Sequence, residues 1–432
     1  MGGAAWLVWP ETQLAAVPSS GSARLAWAVP CARHRTGGCD LIGACRTRTH
    51  LCSVRPAHPA RAAHTSSSKD GNASMPEHPE RTHPDTRPLV FGGVDTHTDT
   101  HHAAATDPLG RVLGDAEFPA TPHGCTQLWD WLGGFGPVGR IGVEGTGSYG
   151  KQLATLLRER GAEVAEISRP DRKTRRRKGK SDVIDAISAA RAAQAGQDLA
   201  VPKTGDGPVE SIRALRVVRR GAVKARTATV NELKALIITA PAALRELLRG
   251  KTSAALVKAC AGLDPDLARL ADPHHGVMLA LRAAAERIAF LTAQIVELDA
   301  HLKPVVTVTA PSLISLLGVG VDNAGQLLAT AGDNPQRLTS EGSFACLCGV
   351  APLPASSGRT DKHRINRGGD RQANRALHMI AVVRMRYCAR TRAYVERRTA
   401  QGLSTKDIMR CLKRYILREV HQAIMKDLAP TP

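Results

Sequence analysis

Four acidic side chains stand at positions where they could jointly hold a divalent cation. Asp95 closes the apolar run that begins at Leu89, and Glu144 closes a second apolar run. Asp182 and Asp185 stand three residues apart in an Ala-rich segment, so they share one face if that segment is helical. Carboxylates this crowded repel one another and lose ionisation unless a cation neutralises them. Their oxygens suit Mg²⁺ or Mn²⁺, which can activate a nucleophile and stabilise the leaving oxygen in phosphodiester chemistry.

The elements that would bring these acids together follow from the patterning of residues 88–167. Apolar segments at 89–95, 101–106 and 111–118 predict three antiparallel strands, with a turn over Asp107-Pro108-Leu109-Gly110. A helix at 125–132, a strand at 140–144, a helix at 148–160 and a strand at 163–167 are expected to follow. The order β-β-β-α-β-α-β, with acids at the ends of the first and fourth strands, predicts an α/β ribonuclease H-like (RuvC-like) domain.

The two helical acids have a second interpretation that the sequence leaves open. Ser181 is a plausible N-cap, and acids in the first turn of a helix favour its dipole. Asp182 would then stabilise the helix without binding a ligand.

The charge of the chain favours a polyanionic partner. Its 432 residues carry 59 Lys plus Arg against 39 Asp plus Glu, a net charge of +20, and most of the excess lies in the second half. Few aromatic residues are present, which disfavours modules that stack single-stranded bases and favours phosphate contacts. A basic run precedes the two helical acids, and we expect it to bind nucleic acid through Arg172, Lys173, Arg175, Arg176, Arg177, Lys178 and Lys180. The alternative is a solvated basic surface.

Three motifs around the acids resemble those of the DEDD-type insertion-sequence transposases, whose elements also encode a bridge RNA. The motifs are Gly93-Val94-Asp95, Val143-Glu144-Gly145-Thr146-Gly147-Ser148-Tyr149-Gly150 and Gly179-Lys180-Ser181-Asp182-Val183-Ile184-Asp185-Ala186. The resemblance covers residues 88–425. It implies that Asp95, Glu144, Asp182 and Asp185 bind Mg²⁺ or Mn²⁺, and that a bridge RNA selects the donor and target DNA.

A serine-bearing motif of the same transposases is matched near the C-terminus. Ala355-Ser356-Ser357-Gly358-Arg359 leads into a basic segment, and the family's serine precedes the glycine, which here is Ser357. The adjacent Ser356 leaves that assignment open by one residue, and a Ser-Ser-Gly run is by itself typical of a loop. An activated serine can attack a phosphodiester and store the bond energy as phosphoserine. The scissile phosphate would be held by Arg359, Arg364 and Arg367.

Upstream of the serine, Leu313–Val319 and Asn323–Ala329 predict two short helices joined through Gly318-Val319-Gly320. Such a connection resembles a helix-hairpin-helix, in which backbone N–H groups approach a phosphate. An ordinary helical turn is the alternative interpretation.

The connecting region predicts long helices. A helix beginning after Gly207 carries Arg213, Arg216, Arg220 and Lys224 at spacings of three and four, which is either a basic stripe or a solvated face. A second helix carries a 3-4-3-4 apolar seam at Ile288, Leu291, Ile295, Leu298 and Leu302. The seam can pack inside the chain, but the family is similar in using a helical connector for self-association, so we expect an oligomer contact.

Four segments summarise this organisation. Residues 1–86 have no helical or strand period and are expected to be disordered or an upstream artefact, with translation beginning near Met75. Residues 87–200 form the RuvC-like DEDD domain, 201–310 the helical, coiled-coil connector, and 311–432 a mostly α-helical transposase domain. No apolar run is long enough to cross a membrane, and ten cysteines in so long a chain are typical of reduced thiols, so a cytoplasmic protein is expected.

The function expected from these patterns is that of a transposase, a DNA recombinase that cuts and rejoins double-stranded DNA. The resemblance implies a bridge-RNA guide and a homo-oligomer, from dimer to tetramer, whose active sites combine parts of different subunits. Two alternatives remain: a Holliday-junction-type endonuclease that uses the four acids only, and a non-catalytic nucleic-acid-binding protein.

Overall fold

The computed structural model describes residues 87–167, 181–196, 199–338, 340–359 and 363–429. The strands β1–β5 span Val90–Thr96, Thr100–Thr106, Val112–Pro119, Val138–Glu144 and Glu163–Ile167, and β6 and β7 span Pro352–Pro354 and His363–Ile365. The helices α1–α7 span Pro122–Phe135, Lys151–Glu159, Asp182–Ala195, Pro208–Thr239, Ala242–Leu248, Ser253–Ala261 and Pro273–Thr309. The helices α8–α13 span Pro311–Ile314, Val321–Ala331, Glu341–Leu347, Arg371–Tyr387, Ala389–Ala400 and Thr405–Asp427.

The N-terminal part is a five-stranded mixed sheet in the order β3-β2-β1-β4-β5. Strands β1, β2 and β3 are antiparallel neighbours, whereas β1, β4 and β5 are parallel. The predicted turn between β2 and β3 is present, because the Asp107 carboxylate accepts hydrogen bonds from the amides of Leu109 and Arg111, both at 2.9 Å. This mixed α/β sheet followed by helices agrees with the predicted fold class and is consistent with a ribonuclease H-like domain.

Helices pack on both faces of the sheet, and the packing of α3 on one face depends on glycine residues in the strands. Gly93 of β1 and Gly142 of β4 are direct neighbours in the sheet. A Cβ on Gly93 would lie 2.0 Å from the backbone nitrogen of Ala190 in α3, and one on Gly142 would lie 2.6 Å from the carbonyl oxygen of Ala189. The buried face of α3 is itself a stripe of alanines. Small residues on both surfaces therefore let α3 lie against the sheet at backbone contact.

Replacing Gly93 with alanine tests this packing. The added methyl group would also meet the carbonyl oxygen of Ala186 at 2.2 Å, so α3 would have to move away from β1. We expect the free energy of unfolding to fall by roughly 3 kcal/mol, at the upper end of overpacking effects. Gly133, in the helix α1, has open space at its Cβ, so Gly133→Ala should stabilise the protein by up to about 1 kcal/mol. Urea unfolding of both variants measures the contrast, and equal midpoints would contradict the packing account.

The connector is built on two long helices, α4 and α7. Ion pairs join Arg219 to Asp299 and Glu232 to Arg287, so the two helices run antiparallel. A buried apolar cluster lies between them and the short helices α5 and α6, and it includes Leu233, Leu244, Cys260, Leu281 and Ile288.

Three of the five residues of the apolar seam predicted as an oligomer contact are buried inside the chain, and Leu291 and Leu298 are half-buried. Ile288, Ile295 and Leu302 are nearly inaccessible on α7, and Ile288 and Leu302 belong to apolar clusters shared with residues of α4. The predicted contact between subunits is therefore wrong for Ile288, Ile295 and Leu302. A 3-4-3-4 spacing identifies an apolar helix face, but it does not distinguish a partner in the same chain from a second copy.

The C-terminal part is mostly helical, as predicted, around an apolar cluster that includes Leu313, Leu327, Phe344, Leu377 and Leu417. The two-stranded ribbon β6–β7 is its only sheet among the described residues. None of the helices described combines the length and the apolar character needed to span a bilayer.

Candidate active site

The ends of β1 and β4 bring the first two predicted acids side by side. Val94 pairs with Val143 in the parallel ladder, so the next residues, Asp95 and Glu144, occupy neighbouring positions on the same face. The Thr96 hydroxyl donates a hydrogen bond of 2.8 Å to the backbone carbonyl of Glu144, which fixes the two strand ends to each other. Asp95 and Glu144 each follow, two residues on, one of the paired glycines that contact α3, so their side chains lie on the face that α3 covers.

Helix α3 begins beside those strand ends and supplies the other two acids. Asp185 is buried, whereas Asp182 has a side chain about half exposed (51%). Both carboxylates are close enough to Asp95 to act on its ionisation. Ser181 occupies the N-cap position, but its hydroxyl makes no capping hydrogen bond, so the predicted capping role is not observed.

A histidine that the sequence analysis did not single out lies among these carboxylates. The Nε2 atom of His97 is 3.3 Å from Asp95 Oδ2 and 3.4 Å from Asp182 Oδ1. One ligand atom from each of the three residues lies within 4.8 Å of the others. The signal in the sequence was the spacing Asp95-Thr96-His97, which places an imidazole two residues beyond the first acid.

The electrostatics of Asp95 favour a cation at this point. Burial raises the pKa of Asp95 above its usual value, nearby Asp185 and Asp182 raise it further, and His97 opposes them. Its Oδ2 atom is buried and has no hydrogen-bond partner among the described residues. A buried carboxylate oxygen without a donor, surrounded by further carboxylates, fits a hard divalent cation.

A cleft of ≈ 730 Å³ opens beside His97. Its walls come from the β1–β2 turn, the loop after β4 and the helix α2, and they include His101, Ser148, Tyr149, Lys151 and Gln152. Tyr149 is exposed there and His101 is buried. His97, which contacts Asp95 and Asp182, lines this cleft, whereas none of the four acids does.

The predicted nucleophile lies on an exposed loop. Ser356, Ser357, Gly358 and Arg359 are all exposed between β6 and β7, and Gly358 adopts a left-handed conformation with φ of 53°. Open space surrounds the position of a Gly358 Cβ. The serine is therefore accessible to a large substrate.

The base of this ribbon is firmly held. The side-chain amide of Asn374 donates to the carbonyl of Gly349 at 2.8 Å, and that of Asn366 donates to the carbonyl of Cys346 at 3.0 Å. Asp370 caps α11 through its carboxylate, while its own amide donates to the carbonyl of Leu347 at 2.7 Å. The polar residues after the serine therefore anchor its loop to the helix α10.

The predicted nucleic-acid contacts differ in how far the structure describes them. Arg359, Arg364 and Arg367 are exposed on or beside the ribbon. The basic residues from Arg172 to Lys180 lie outside the described residues.

The segment Gly318-Val319-Gly320 connects two helices as predicted, but the start of the second helix carries an unexpected ion pair. The helix α8 has only four residues, Gly318 makes a left-handed turn with φ of 85°, and Gly320 is the exposed N-cap of α9. In the first turn of α9, however, Asp322 pairs with Arg216 at 2.6 Å. This helix start already has an acid and a cation from within the chain.

Two of the four basic residues of the stripe expected on α4 are paired inside the chain, and Arg220 and Lys224 are exposed. Besides Arg216, Arg213 pairs with Glu210 at 2.8 Å. The Arg216 pair joins α4 to α9, whereas the Arg213 pair lies within α4.

Two sequence families match separate parts of this chain. Residues 92–239, which contain all four acids, match the DEDD transposase family of IS110, described as "Transposase". Residues 310–396, which contain Ser357, match a family described as "Transposase IS116/IS110/IS902 family". Together the two segments cover more than half of the 432 residues. The chain belongs to the IS110 family of transposases.

Two curated proteins of insertion elements are similar over shorter segments. A 43.6 kDa protein of the insertion element IS110 from Streptomyces coelicolor is 37% identical over 141 residues, which is 32% of this chain and 33% of that protein. A 42 kDa protein of the insertion element IS900 from Mycobacterium paratuberculosis is 26% identical over 142 residues, 31% of this chain and 36% of that protein. Each alignment thus spans about a third of the length of the relative.

Proposed function

We propose that this chain is the recombinase of an insertion element, which cuts and rejoins double-stranded DNA. The observation that carries the proposal is the junction of β1, β4 and α3 in an IS110-family chain. There, ligand atoms of Asp95, His97 and Asp182 converge, and the buried Oδ2 atom of Asp95 makes no aligned hydrogen bond. In this proposal Asp95, Glu144, Asp182 and Asp185 hold a divalent cation, Mg²⁺ or Mn²⁺. When bound, that cation supplies charge for the developing oxyanion and lowers the pKa of an attacking group.

The serine step is proposed to be a transesterification. The Ser357 Oγ attacks the scissile phosphorus and loses its proton, while the bond from phosphorus to one deoxyribose oxygen breaks and that oxygen takes up a proton. A phosphoserine ester then keeps the bond energy until a hydroxyl of another strand reverses the reaction. Arg359, Arg364 and Arg367 are proposed to bind the phosphate oxygens, because each is exposed near the serine loop.

We propose further that the serine and the acids of one active centre come from different subunits of a dimer or tetramer. The exposure of the serine loop on a firmly held ribbon supports this arrangement, because a second subunit can reach such a loop. A test mixes Asp95→Asn and Ser357→Ala proteins. Recovery of activity on mixing is expected, and its absence would contradict sharing between subunits.

A bridge RNA is proposed as the partner that selects donor and target DNA. The net charge of +20 supports a polyanionic partner of this kind. If the non-coding flanks of the element are deleted, recombination should stop, and supplying their transcript separately should restore it. Recombination that continues without the flanks would contradict guidance by RNA.

The experiment that tests the proposed function uses the purified full chain, the flank transcript and DNA that carries the element ends. Strand cleavage is expected with Mg²⁺, and it should stop when EDTA removes the cation. Cleavage that is unchanged in EDTA would contradict the role of the acids.

Nucleic-acid affinity should depend steeply on salt, because basic residues are many and aromatic residues few. A protein that makes about 6 to 10 phosphate contacts loses roughly three to five decades of affinity between about 50 and 200 mM salt. Removing the charges of Arg172, Arg175 and Arg176 should flatten the slope of log affinity against log salt. Removing the charges of three connector residues, Arg249, Lys251 and Lys258, should change that slope less. Fluorescence anisotropy measures both slopes, and equal slopes would place the binding surface elsewhere.

A further inference from the structure

We propose that His97 is a nitrogen ligand of the cation held by the acids, and that it makes this centre favour Mn²⁺ over Mg²⁺. The inference rests on the proposed function for the existence of the centre, but it concerns a residue outside the four acids.

The position of the imidazole matches a ligand better than a hydrogen-bond partner. His97 Nε2 lies 3.3 Å from Asp95 Oδ2 and 3.4 Å from Asp182 Oδ1. These are ion-pair distances, but the ring N–H is not aligned with either oxygen as a hydrogen bond requires. Adjacent ligands of an octahedral ion with bonds of roughly 2.1 Å lie about 3 Å apart. The separations observed are therefore close to those of neighbouring ligands around a single ion.

The backbone fixes the place of this imidazole. His97 follows the last residue of β1, and its amide donates a hydrogen bond of 3.0 Å to the carbonyl of Thr100 across the β1–β2 turn. Strand pairing on one side and the close contact of α3 with Gly93 on the other set the distance between the turn and the start of α3. The ring thus lies between an acid from the strand and an acid from the helix.

The donor set determines which cation is preferred. Mg²⁺ is bound mostly by oxygen, whereas imidazole nitrogen is a better ligand for transition metals. Mn²⁺ accepts carboxylate oxygen and also imidazole nitrogen. The imidazole beside the carboxylates of Asp95 and Asp182 should therefore shift the preference of the site toward Mn²⁺.

Pulsed electron paramagnetic resonance of Mn²⁺ bound to the full-length chain tests the ligand directly, because a coordinated ring nitrogen couples to the electron spin. We expect nitrogen coupling in the wild type and in His102→Gln, and its loss in His97→Gln with Mn²⁺ still bound. His102 is the matched control, because it faces Asp95 across β1 and β2 but bonds to Asp115 at 2.9 Å. Calorimetry should show the ratio of Mn²⁺ to Mg²⁺ affinity falling about tenfold in His97→Gln, the lower end of effects seen around metal ligands.

The other possible results distinguish failure of the His97 ligand from failure of the acid site itself. Bound Mn²⁺ without nitrogen coupling, or coupling that survives His97→Gln, would overturn the inference and leave the acid site in place. If Asp95→Asn does not weaken Mn²⁺ binding, the acid site itself is wrong and the proposed function fails with it. An imidazole that only forms an ion pair with the acids would give Mn²⁺ binding without coupling.

Discussion

A Ser357→Ala protein is expected to form no covalent adduct with cleaved DNA and to carry out no strand transfer. The substitution removes the proposed attacking oxygen, and the loop around it is exposed, so the fold should persist. Wild-type protein should remain attached to labelled DNA after denaturation, because a phosphoserine ester survives unfolding. A gel of denatured reactions measures the adduct, and the loss should exceed about a hundredfold, equal to roughly 2.7 kcal/mol of barrier.

Ser356→Ala is the matched control, because it removes the same atom one residue earlier. It should retain most of the adduct. If Ser356→Ala is inactive and Ser357→Ala is active, the mechanism stands and the assignment moves by one residue. Full recombination by the double variant would contradict a serine mechanism. Cleavage that leaves no adduct and gives no strand transfer, even with wild-type protein, would favour the junction endonuclease, which uses metal-activated water.

Asp95→Asn is expected to lower strand cleavage by at least about a thousandfold, which corresponds to ~4 kcal/mol of barrier. Asparagine keeps the size of the side chain but removes the charge that would hold the cation. Asp115→Asn, which changes an acid paired with His102 on the neighbouring strands, should leave cleavage within a few-fold of the wild type. Rates measured in Mg²⁺ on the same DNA give the comparison.

The Asp95→Asn substitution should leave the metal-free protein as stable as the wild type or more stable. Burial raises the pKa of Asp95, so the charged form is disfavoured in the folded state and its cost grows as the pH rises above the ordinary pKa of aspartate. The stability advantage of the Asp95→Asn protein over the wild type should therefore be larger at neutral pH than in acid. Thermal unfolding in EDTA measures it, and a lower melting temperature for Asp95→Asn at neutral pH would contradict this electrostatic account.

The sequence predicted the sheet well because the signals there are local. The turn at Asp107 to Gly110 and the short apolar segments of β1 to β5 depend on near neighbours in the chain. The strand-end positions of Asp95 and Glu144 follow from the same local pattern.

Other features could not be predicted because they depend on contacts between distant residues. The spacing of Ile288 and Leu302 identified an apolar face, but only the packed chain shows that α4 covers it. The pairing of Arg216 with Asp322 joins residues far apart in sequence, so the sequence alone suggested a free basic stripe. His97 could not be identified as a possible metal ligand from the sequence, because its contact with Asp182 is visible only in the folded chain.

The most direct test of recombinase function is excision of the element, with its natural flanks, from a plasmid in cells that supply this chain. Sequencing across the donor site measures rejoined junctions. The account predicts junctions with wild-type protein and none with either Asp95→Asn or Ser357→Ala, at equal protein levels. Junctions formed at the wild-type frequency by Asp95→Asn protein would contradict it.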